Sequence, residues 1–162
     1  MPTLDEFKIT LAESVQWEAA VAPEDPLGEL TAFEMALKQF CFEQNRRVHI
    51  EAGDISVDVY LNPDFTRILD ELPSEIGQVA RGEAIVISFP ESQVDIVLEP
   101  VGTELKCITS EYGQAVSNKH FMLDKAQAVD NLRRFLHELI DLAVTHKYIS
   151  SEQGNEFLSP AQ

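Results

Sequence analysis

Cysteine and glycine are both scarce in this sequence, which has two cysteines and seven glycines among 162 residues. Cys41 and Cys107 form no C-x-x-C pair, so we expect them to be reduced core residues. A redox pair or a nucleophile is the weaker alternative. The glycines form no G-x-G-x-x-G, P-loop or G-x-S-x-G motif. The sequence therefore predicts no cofactor and contains no recognisable catalytic motif.

Long apolar runs are also absent. No stretch reaches the roughly 18 consecutive apolar residues of a membrane-spanning helix. The chain begins Met1-Pro-Thr-Leu-Asp-Glu, which is acidic and lacks the apolar region of a signal peptide. We therefore expect no membrane partner, and the cytoplasm is the expected compartment.

Basic residues are few, because 12 lysines and arginines stand against 28 acidic residues, for a formal net charge of −16. A field of this sign repels phosphate backbones and anionic lipids, so nucleic-acid binding is not expected. The only adjacent basic pairs, Arg46-Arg47 and Arg133-Arg134, lie near acidic residues. The charge indicates either plain solubility or a basic protein partner that is met by electrostatic complementarity.

The remaining composition is that of a globular protein, with 44% hydrophobic and 25% charged residues. A chain of this length can bury roughly 70% of the surface that its unfolded form exposes. We predict one domain over residues 1–162, with the last few residues frayed.

Residues 5–20 alternate between apolar and polar side chains, which favours a strand or a bent hairpin. The alternating apolar residues are Phe7, Ile9, Leu11, Val15, Trp17 and Ala19. A helix that uses Phe7, Leu11 and Val15 is the alternative, and the sequence does not decide between the two.

A first helix is predicted after a loop with two prolines, because apolar residues then recur every three or four positions. They are Leu27, Leu30, Phe33, Leu37, Phe40 and Cys41. Arg46 and Arg47 are expected near its end, where cations complement the helix dipole. A strand that begins at Phe40 is the alternative.

A hairpin is predicted next, with Gly53-Asp54 as the turn between two alternating segments. Asn62 is then expected to cap a short helix with Pro63 at its first position. Pro73 is expected to end this helix or to kink the chain.

Three more alternating segments, around residues 85–89, 94–98 and 105–109, predict an antiparallel meander. Asp124 and Gln127 resemble a capping box before a long apolar stripe, and Ser150 or Ser151 is expected to cap a final turn. The predicted fold is α+β: a mainly antiparallel sheet of five to six strands, with a long C-terminal helix and one or two further helices packed on one face.

The polar face of this predicted sheet is the first candidate binding surface. By alternation it carries Ser56, Asp58, Ser88, Asp95, Glu99, Glu104 and Lys106. Like charges on neighbouring strands destabilise a sheet. A face this acidic therefore suggests a functional role, such as docking the basic patch of a partner. Asp58, Asp95, Glu99 and Glu104 are the candidate partner-binding residues. An ordinary solvated face is the competing interpretation.

Met35 and Phe42 form the second candidate surface. They are seven residues apart and therefore align on the side of the first helix away from Leu37 and Cys41. An exposed pair of this kind is typical of a protein interface, and a homodimer is one assembly that could use it. Packing against the first strand is the competing interpretation.

The segment from His137 to Asp141 is a near miss to the zinc-hydrolase motif H-E-x-x-H. Aspartate stands where the second histidine belongs, and a catalytic zinc needs three protein ligands. We therefore interpret the segment as a solvated helix face and predict no metal site. His49, His120 and His146 have no ligand-like spacing. A catalytic triad assembled only in three dimensions stays open.

The sequence thus favours a non-enzymatic, acidic protein-binding domain that docks a basic protein partner. Inhibitor, immunity-like, chaperone and accessory roles all fit this description, as they do for many small acidic α+β proteins. The alternative is a small-molecule-binding protein or a minor hydrolase with a pocket between sheet and helices.

Overall fold

The structure, a computed structural model, describes residues 4–16, 22–53, 55–111 and 117–162. Its strands are β1 (Phe7–Ser14), β2 (Arg46–Ala52), β3 (Ile55–Tyr60), β4 (Ile85–Phe89), β5 (Val94–Val101), β6 (Glu104–Glu111) and β7 (Ser117–Asp124). Its α-helices are α1 (Ala32–Glu43), α2 (Thr66–Ile68), α3 (Leu72–Ala80), α4 (Lys125–Thr145) and α5 (Ser151–Leu158). The described chain is α+β, as predicted.

The strands form two antiparallel sheets, one of β1–β2–β3 and one of β4–β5–β6–β7. The prediction of one sheet with five to six strands is therefore wrong, because the described residues hold seven strands in two sheets. Three helices of eight or more residues, α1, α3 and α5, accompany α4 in the described chain, instead of one or two.

The three-stranded sheet confirms the strand interpretation of the first segment. Phe7 and Ile9 are buried while Lys8 and Thr10 are exposed, which is the alternation of a half-buried strand. Trp17 and Ala19 lie outside the described residues. The hairpin between β2 and β3 is confirmed as well: Ala52 pairs with Ile55 across the turn.

The four-stranded sheet is a meander whose first three strands follow the predicted faces. The inward residues of β4, β5 and β6 are buried: Ile85, Ile87, Phe89, Val94, Ile96, Leu98, Leu105, Cys107 and Thr109. Strand β7 was not predicted, because Phe121, Met122 and Leu123 follow one another without alternation. Met122 lies opposite Lys106, on the face away from buried Leu123.

The two sheets meet at β1 and β7. The Asp5 amide donates to the Met122 carbonyl at 3.1 Å, as part of a short parallel bridge. Gly53, in the β2–β3 turn, lies so close to Phe121 that an added Cβ would stand 2.1 Å from the ring. These contacts hold the β2–β3 hairpin against the last strand of the other sheet.

Beyond that bridge, side chains of α4 form hydrogen bonds with the backbone at the edge of β1. Gln127 accepts a hydrogen bond from the Phe7 amide at 2.9 Å and donates one to the Phe7 carbonyl at 2.7 Å. Asn131 accepts from the Ile9 amide at 2.8 Å. Buried backbone groups need partners, so these amides close an edge that would otherwise attract another strand.

The long helix begins where predicted and is capped by Asp124, as predicted. Asp124 accepts from the Gln127 amide at 2.9 Å, but the Gln127 side chain serves Phe7 and does not complete a capping box. Most of the predicted apolar stripe is buried, namely Val129, Leu132, Phe135, Leu136, Leu139, Ile140 and Ala143, whereas Leu142 is half-buried. Burying each large apolar side chain stabilises the fold by about 2 kcal/mol, so α4 contributes strongly to the core.

The first helix is shorter than predicted. Thr31 and Glu34 form a capping box that starts it at Ala32, so Leu27 and Leu30 precede the helix, and Leu27 is 78% exposed. The strand alternative at Phe40 is wrong, since helix continues to Glu43. Arg46 and Arg47 begin β2 and do not lie in the last turn of α1.

The segment after β3 also differs from its prediction. Asn62 does not cap a helix: its backbone is extended and the Asn62–Pro63 peptide bond is cis. The Asn45 side chain holds this backbone by two hydrogen bonds of 2.9 Å. Pro73 lies in the first turn of α3, where its missing amide hydrogen is not needed, so it starts a helix and does not end one.

The C-terminal turn is docked, not frayed. Ser150 caps α5 through a capping box with Gln153, as predicted for one of the two serines. Beyond α5, Ala161 is buried and its carbonyl accepts from Arg133 Nε at 2.6 Å. An added Cβ on Gly77 of α3 would stand 2.3 Å from the Pro160 carbonyl oxygen, which shows how closely the turn packs.

Candidate functional site

The outer face of the four-stranded sheet, which points away from the core, carries a continuous apolar row. Val86 of β4 lies opposite Val97 of β5, which in turn lies opposite Ile108 of β6. Val86 is 57% exposed, while Val97 and Ile108 are half-buried. His120 of β7 extends this row at its far end. We call Val86, Val97 and Ile108 the apolar row.

Three predicted partner-binding carboxylates lie around the apolar row. Asp95 is one row away, between Ser88 and Ser110, and it accepts a hydrogen bond from Ser88. Glu99 is on the opposite side, paired across the strands with Lys106. Glu104 lies one row further out. All three are half-buried. The structure therefore brings Asp95, Glu99 and Glu104 together on one sheet face.

The like-charge clash expected on this face occurs only once in the described strand registers. Glu104 lies directly opposite Asp124, the residue that caps α4. The other carboxylates face serine, valine or lysine across the strands. Electrostatic repulsion within the sheet is therefore small. The features that distinguish this face are the apolar row and the carboxylates near it.

Asp58 belongs to a different surface, on the three-stranded sheet. Arg47 Nη1 donates to Asp58 Oδ1 at 2.9 Å, and Arg47 also binds Glu13 through two hydrogen bonds of 2.8 and 2.9 Å. The prediction that Asp58 shares a face with Asp95, Glu99 and Glu104 is wrong, because the sequence pattern gives the face of a strand but not its neighbours. Asp58 serves the fold of its own sheet.

His49 lies at the centre of the same surface and has the contacts of a catalytic triad. Its Nδ1 is 2.7 Å from Asp58 Oδ1, and its Nε2 is 3.2 Å from Ser56 Oγ. However, Nε2 is also 3.0 Å from Glu51 Oε1. Hydrogen bonds to Asp58 and then to Glu51 raise the pKa of His49. Glu51 therefore lies closer than Ser56 to the ring nitrogen that a general base would use, and this geometry suits an ion-pair cluster better than a catalytic triad.

Met35 and Phe42 are separated from these carboxylates in the fold. Both lie on α1 and are half-buried. The helix packs mainly against the turn Leu61–Phe65 and against α2, not against the four-stranded sheet. They remain a predicted self-interface with no link to the apolar row.

The remaining sequence candidates find little support in the described residues. No group of three or more histidine, cysteine, aspartate or glutamate side chains is placed to hold a metal there, and His137 and Asp141 are exposed on α4. Cys41 and Cys107 are buried and unbridged, and burial raises the pKa of each thiol to about 12. Thiols of this kind are poor nucleophiles at neutral pH.

The centre of the apolar core offers almost no room for a ligand among the described residues. Its central void measures about 10 Å³, which is at most enough for one water molecule. Its lining is entirely apolar: Phe7, Ile9, Ile50, Phe65, Leu72, Ile87, Phe89, Ile96 and Leu132. A small-molecule site at this place would require the core to open.

A groove that sequence reasoning missed runs beside β4. Its volume is about 520 Å³, and it is lined by Asp70, Glu71, Ser74, Glu75, Gln78, Ala84, Ile85 and Val86. Burial, and then the charge of Glu71, raises the pKa of Glu75 to about 7. The spacing of Glu71 and Glu75 puts both on one side of a helix, but nothing in the sequence brings that side to the edge of β4.

No helix within the described ranges has the length and apolarity to cross a membrane. The chain matches no family model, no curated protein and no solved structure.

Proposed function

We propose that this protein is a non-enzymatic binding protein that docks a basic protein partner on the outer face of the four-stranded sheet. The observation that carries the proposal is the apolar row with Asp95 and Glu99 in the rows on either side of it and Glu104 one row further out. Inhibitor, immunity-like, chaperone and accessory roles all use such a surface. Which of them applies depends on the partner.

The two components of this face have different tasks in binding. Apolar side chains on a rigid sheet gain affinity when a partner removes them from water, at about 25 cal/mol per Å². Carboxylates around them favour a cationic partner and speed its approach, since the whole chain carries a net charge of −16. The proposal therefore predicts binding that weakens as salt screens the rim.

The alternative of a hydrolase or small-molecule site has weaker support. The triad-like contacts of His49 involve a second carboxylate, Glu51, which lies 3.0 Å from the same ring nitrogen that would accept the serine proton. The void at the centre of the apolar core is smaller than any substrate. A binding surface needs neither a base nor a cavity.

A comparison of two neutralised variants tests the proposal. The first, Asp95→Asn/Glu99→Gln/Glu104→Gln, removes the acidic rim. The second, Glu138→Gln/Asp141→Asn/Glu156→Gln, changes three exposed carboxylates on α4 and α5 and alters the net charge equally. Each variant and the wild type are immobilised and exposed to native lysate at low and at high salt.

We expect the wild type and the helix variant to retain the same basic protein at low salt, and the rim variant to lose it. High salt should release it from both. Equal capture by all three proteins would overturn the proposal, as would a captured protein that is acidic. Identification by mass spectrometry, followed by titration of the purified partner, gives the affinities.

A further inference from the structure

Strand β4 is an edge strand of the four-stranded sheet, and its outer edge differs from that of β1 in its hydrogen-bond partners. The Phe7 and Ile9 amides of β1 donate hydrogen bonds to the side chains of Gln127 and Asn131. Strand β4 pairs with β5 on one side, and no described strand pairs with it on the other. Such an edge presents a row of backbone donors and acceptors to an incoming strand.

The groove beside β4 supplies the chemistry for one kind of strand. It lies between the edge of β4 and α3, and its lining includes Asp70, Glu71 and Glu75 but no basic residue among the described side chains. Apolar contact comes from Ile85 and Val86, which also line it. A chain that lay there would meet these carboxylates on one side and the start of β4 on the other.

The groove is continuous with the apolar row. Val86 lines the groove and is also the first residue of the row. A segment added at β4 would therefore extend the outer sheet face proposed above as the docking surface. This continuity distinguishes the β4 edge from the β3 edge, where Asp58 of β3 is already paired with Arg47 of β2.

We propose, on the basis of the function proposed above, that the β4 edge binds an extended basic segment of the partner protein as a fifth strand. Side chains of a strand alternate between its two faces. Lysine or arginine at every second position would point into the groove toward Glu71 and Glu75. Apolar residues between them would lie beside Val86 and lengthen the apolar row.

Synthetic peptides of about eight residues, an ordinary strand length, test this arrangement with the intact protein. The probe alternates lysine and valine and carries a fluorophore for anisotropy titration. A control peptide has the same composition with lysines and valines in two blocks. Two further versions carry N-methyl groups on alternate backbone amides, one version for each edge of the peptide, so that main-chain pairing is blocked without any change to the protein.

The protein variants separate the groove from the total charge. Glu71→Gln/Glu75→Gln neutralises the groove, and Glu138→Gln/Asp141→Asn neutralises two exposed carboxylates on α4. We expect the groove variant to lose about tenfold or more in affinity for the alternating peptide, and the α4 variant to stay within about twofold. The block peptide and at least one N-methylated peptide should bind correspondingly weakly.

Proton release gives a second readout at the groove. Cationic side chains beside Glu75 favour its ionised form, so binding near pH 6.5 should release protons. Calorimetry in two buffers of different ionisation enthalpy measures this release, and Glu75→Gln should abolish it. No binding at millimolar peptide, or equal binding of the alternating, block and N-methylated peptides, overturns strand addition.

The partner capture described above separates the two proposals. If the rim variant Asp95→Asn/Glu99→Gln/Glu104→Gln loses the partner while Glu71→Gln/Glu75→Gln retains it fully, strand addition is wrong and the docking face stands. Loss of the partner in both variants, together with alternation-dependent peptide binding, supports both. Retention in both contradicts the two proposals together.

Discussion

The outer faces of the two sheets are built from similar residue types but arrange them differently. On the three-stranded sheet, Arg47 and His49 lie within hydrogen-bond distance of Glu13, Asp58 and Glu51. On the four-stranded sheet, an apolar row takes the central position and carboxylates lie around it. The charged side chains of the first face bind one another, whereas the apolar and acidic side chains of the second face are at least partly exposed.

The largest expected effect concerns the place where the sheets touch. Gly53→Ala should destabilise the protein by about 2–4 kcal/mol, because the new Cβ meets the Phe121 ring and alanine is strained at positive φ. Gly102→Ala is the matched control: Gly102 has φ of 64°, close to the 62° of Gly53, with open space around it. It should cost only about 1 kcal/mol in chemical denaturation.

A double variant checks the cause of the Gly53 effect. Phe121→Ala should remove the ring that the new Cβ meets, so Gly53→Ala should be less damaging in that background than in the wild type. Strictly additive effects would show that Phe121 does not press on this turn, and the two sheets would then be less tightly joined than their geometry indicates.

The covered edge of β1 gives the second prediction. Gln127→Ala removes both hydrogen bonds to Phe7 and should destabilise the protein by about 1–3 kcal/mol. Asn131→Ala removes the single bond to Ile9 and should cost less. Denaturant unfolding measures both. If Gln127→Ala has no effect, α4 does not seal this edge, and the contrast with β4 disappears.

The acidic groove of β4 should give stability a pH dependence. The carboxyl of Glu75 has a pKa of about 7, above the ordinary value of 4.5, so the folded protein holds a proton that the unfolded chain has lost between these values. Stability from this residue is therefore full below about pH 4.5 and declines as pH rises to about 7. Glu75→Gln should remove that decline and raise stability at pH 8 by about 1–2 kcal/mol.

Thermal or denaturant unfolding across pH 4 to 8, in wild type and in Glu75→Gln, measures the slope directly. Glu71→Gln is an informative companion, because it removes the neighbouring charge and leaves Glu75 half-buried, so part of the slope should remain. Identical pH profiles for wild type and Glu75→Gln would mean that the groove is more open to water than its geometry implies.

Much of the fold could be predicted because burial imposes periodicity on the sequence. Alternation located β3, β4, β5 and β6 and their inward faces, and most of the stripe of α4 is buried as expected. Periodicity does not report which strands share a sheet, so the predicted strands were placed in one sheet and Asp58 was grouped with Asp95 and Glu99. It also missed β7, where Phe121, Met122 and Leu123 are consecutive and apolar on both faces.

The functional residues were harder to predict because each surface is assembled from distant segments. The apolar row combines single residues from three strands, each of which looks like an ordinary exposed position in its own segment. The groove joins α3 to the edge of β4, and no local pattern records that contact. Gln127 was interpreted as a cap for its own helix, although its side chain serves a strand 120 positions away in sequence.

The smallest expected effect tests the contrast between the two faces directly. Asp58→Asn should destabilise the protein by about 0.5–1 kcal/mol, since it weakens contacts with Arg47 and His49 on a partly exposed surface. It should also lower the pKa of His49, whose largest upward influence is the hydrogen bond to Asp58. Because the His49 pKa is raised in the folded state, its contribution is full below the ordinary value near 6.5 and is lost at higher pH.

Asp95→Asn is the counterpart on the other face: the amide oxygen can still accept from Ser88, so stability should change by less than about 0.5 kcal/mol. An NMR titration of the His49 ring, with unfolding at pH 5.5 and 8, distinguishes the two variants. Asp58→Asn should shift the ring titration and flatten the pH dependence, while Asp95→Asn should leave both unchanged. Equal stability losses would mean that the carboxylates of both faces contribute to folding. The contrast between the two faces would then no longer support partner binding by the four-stranded sheet.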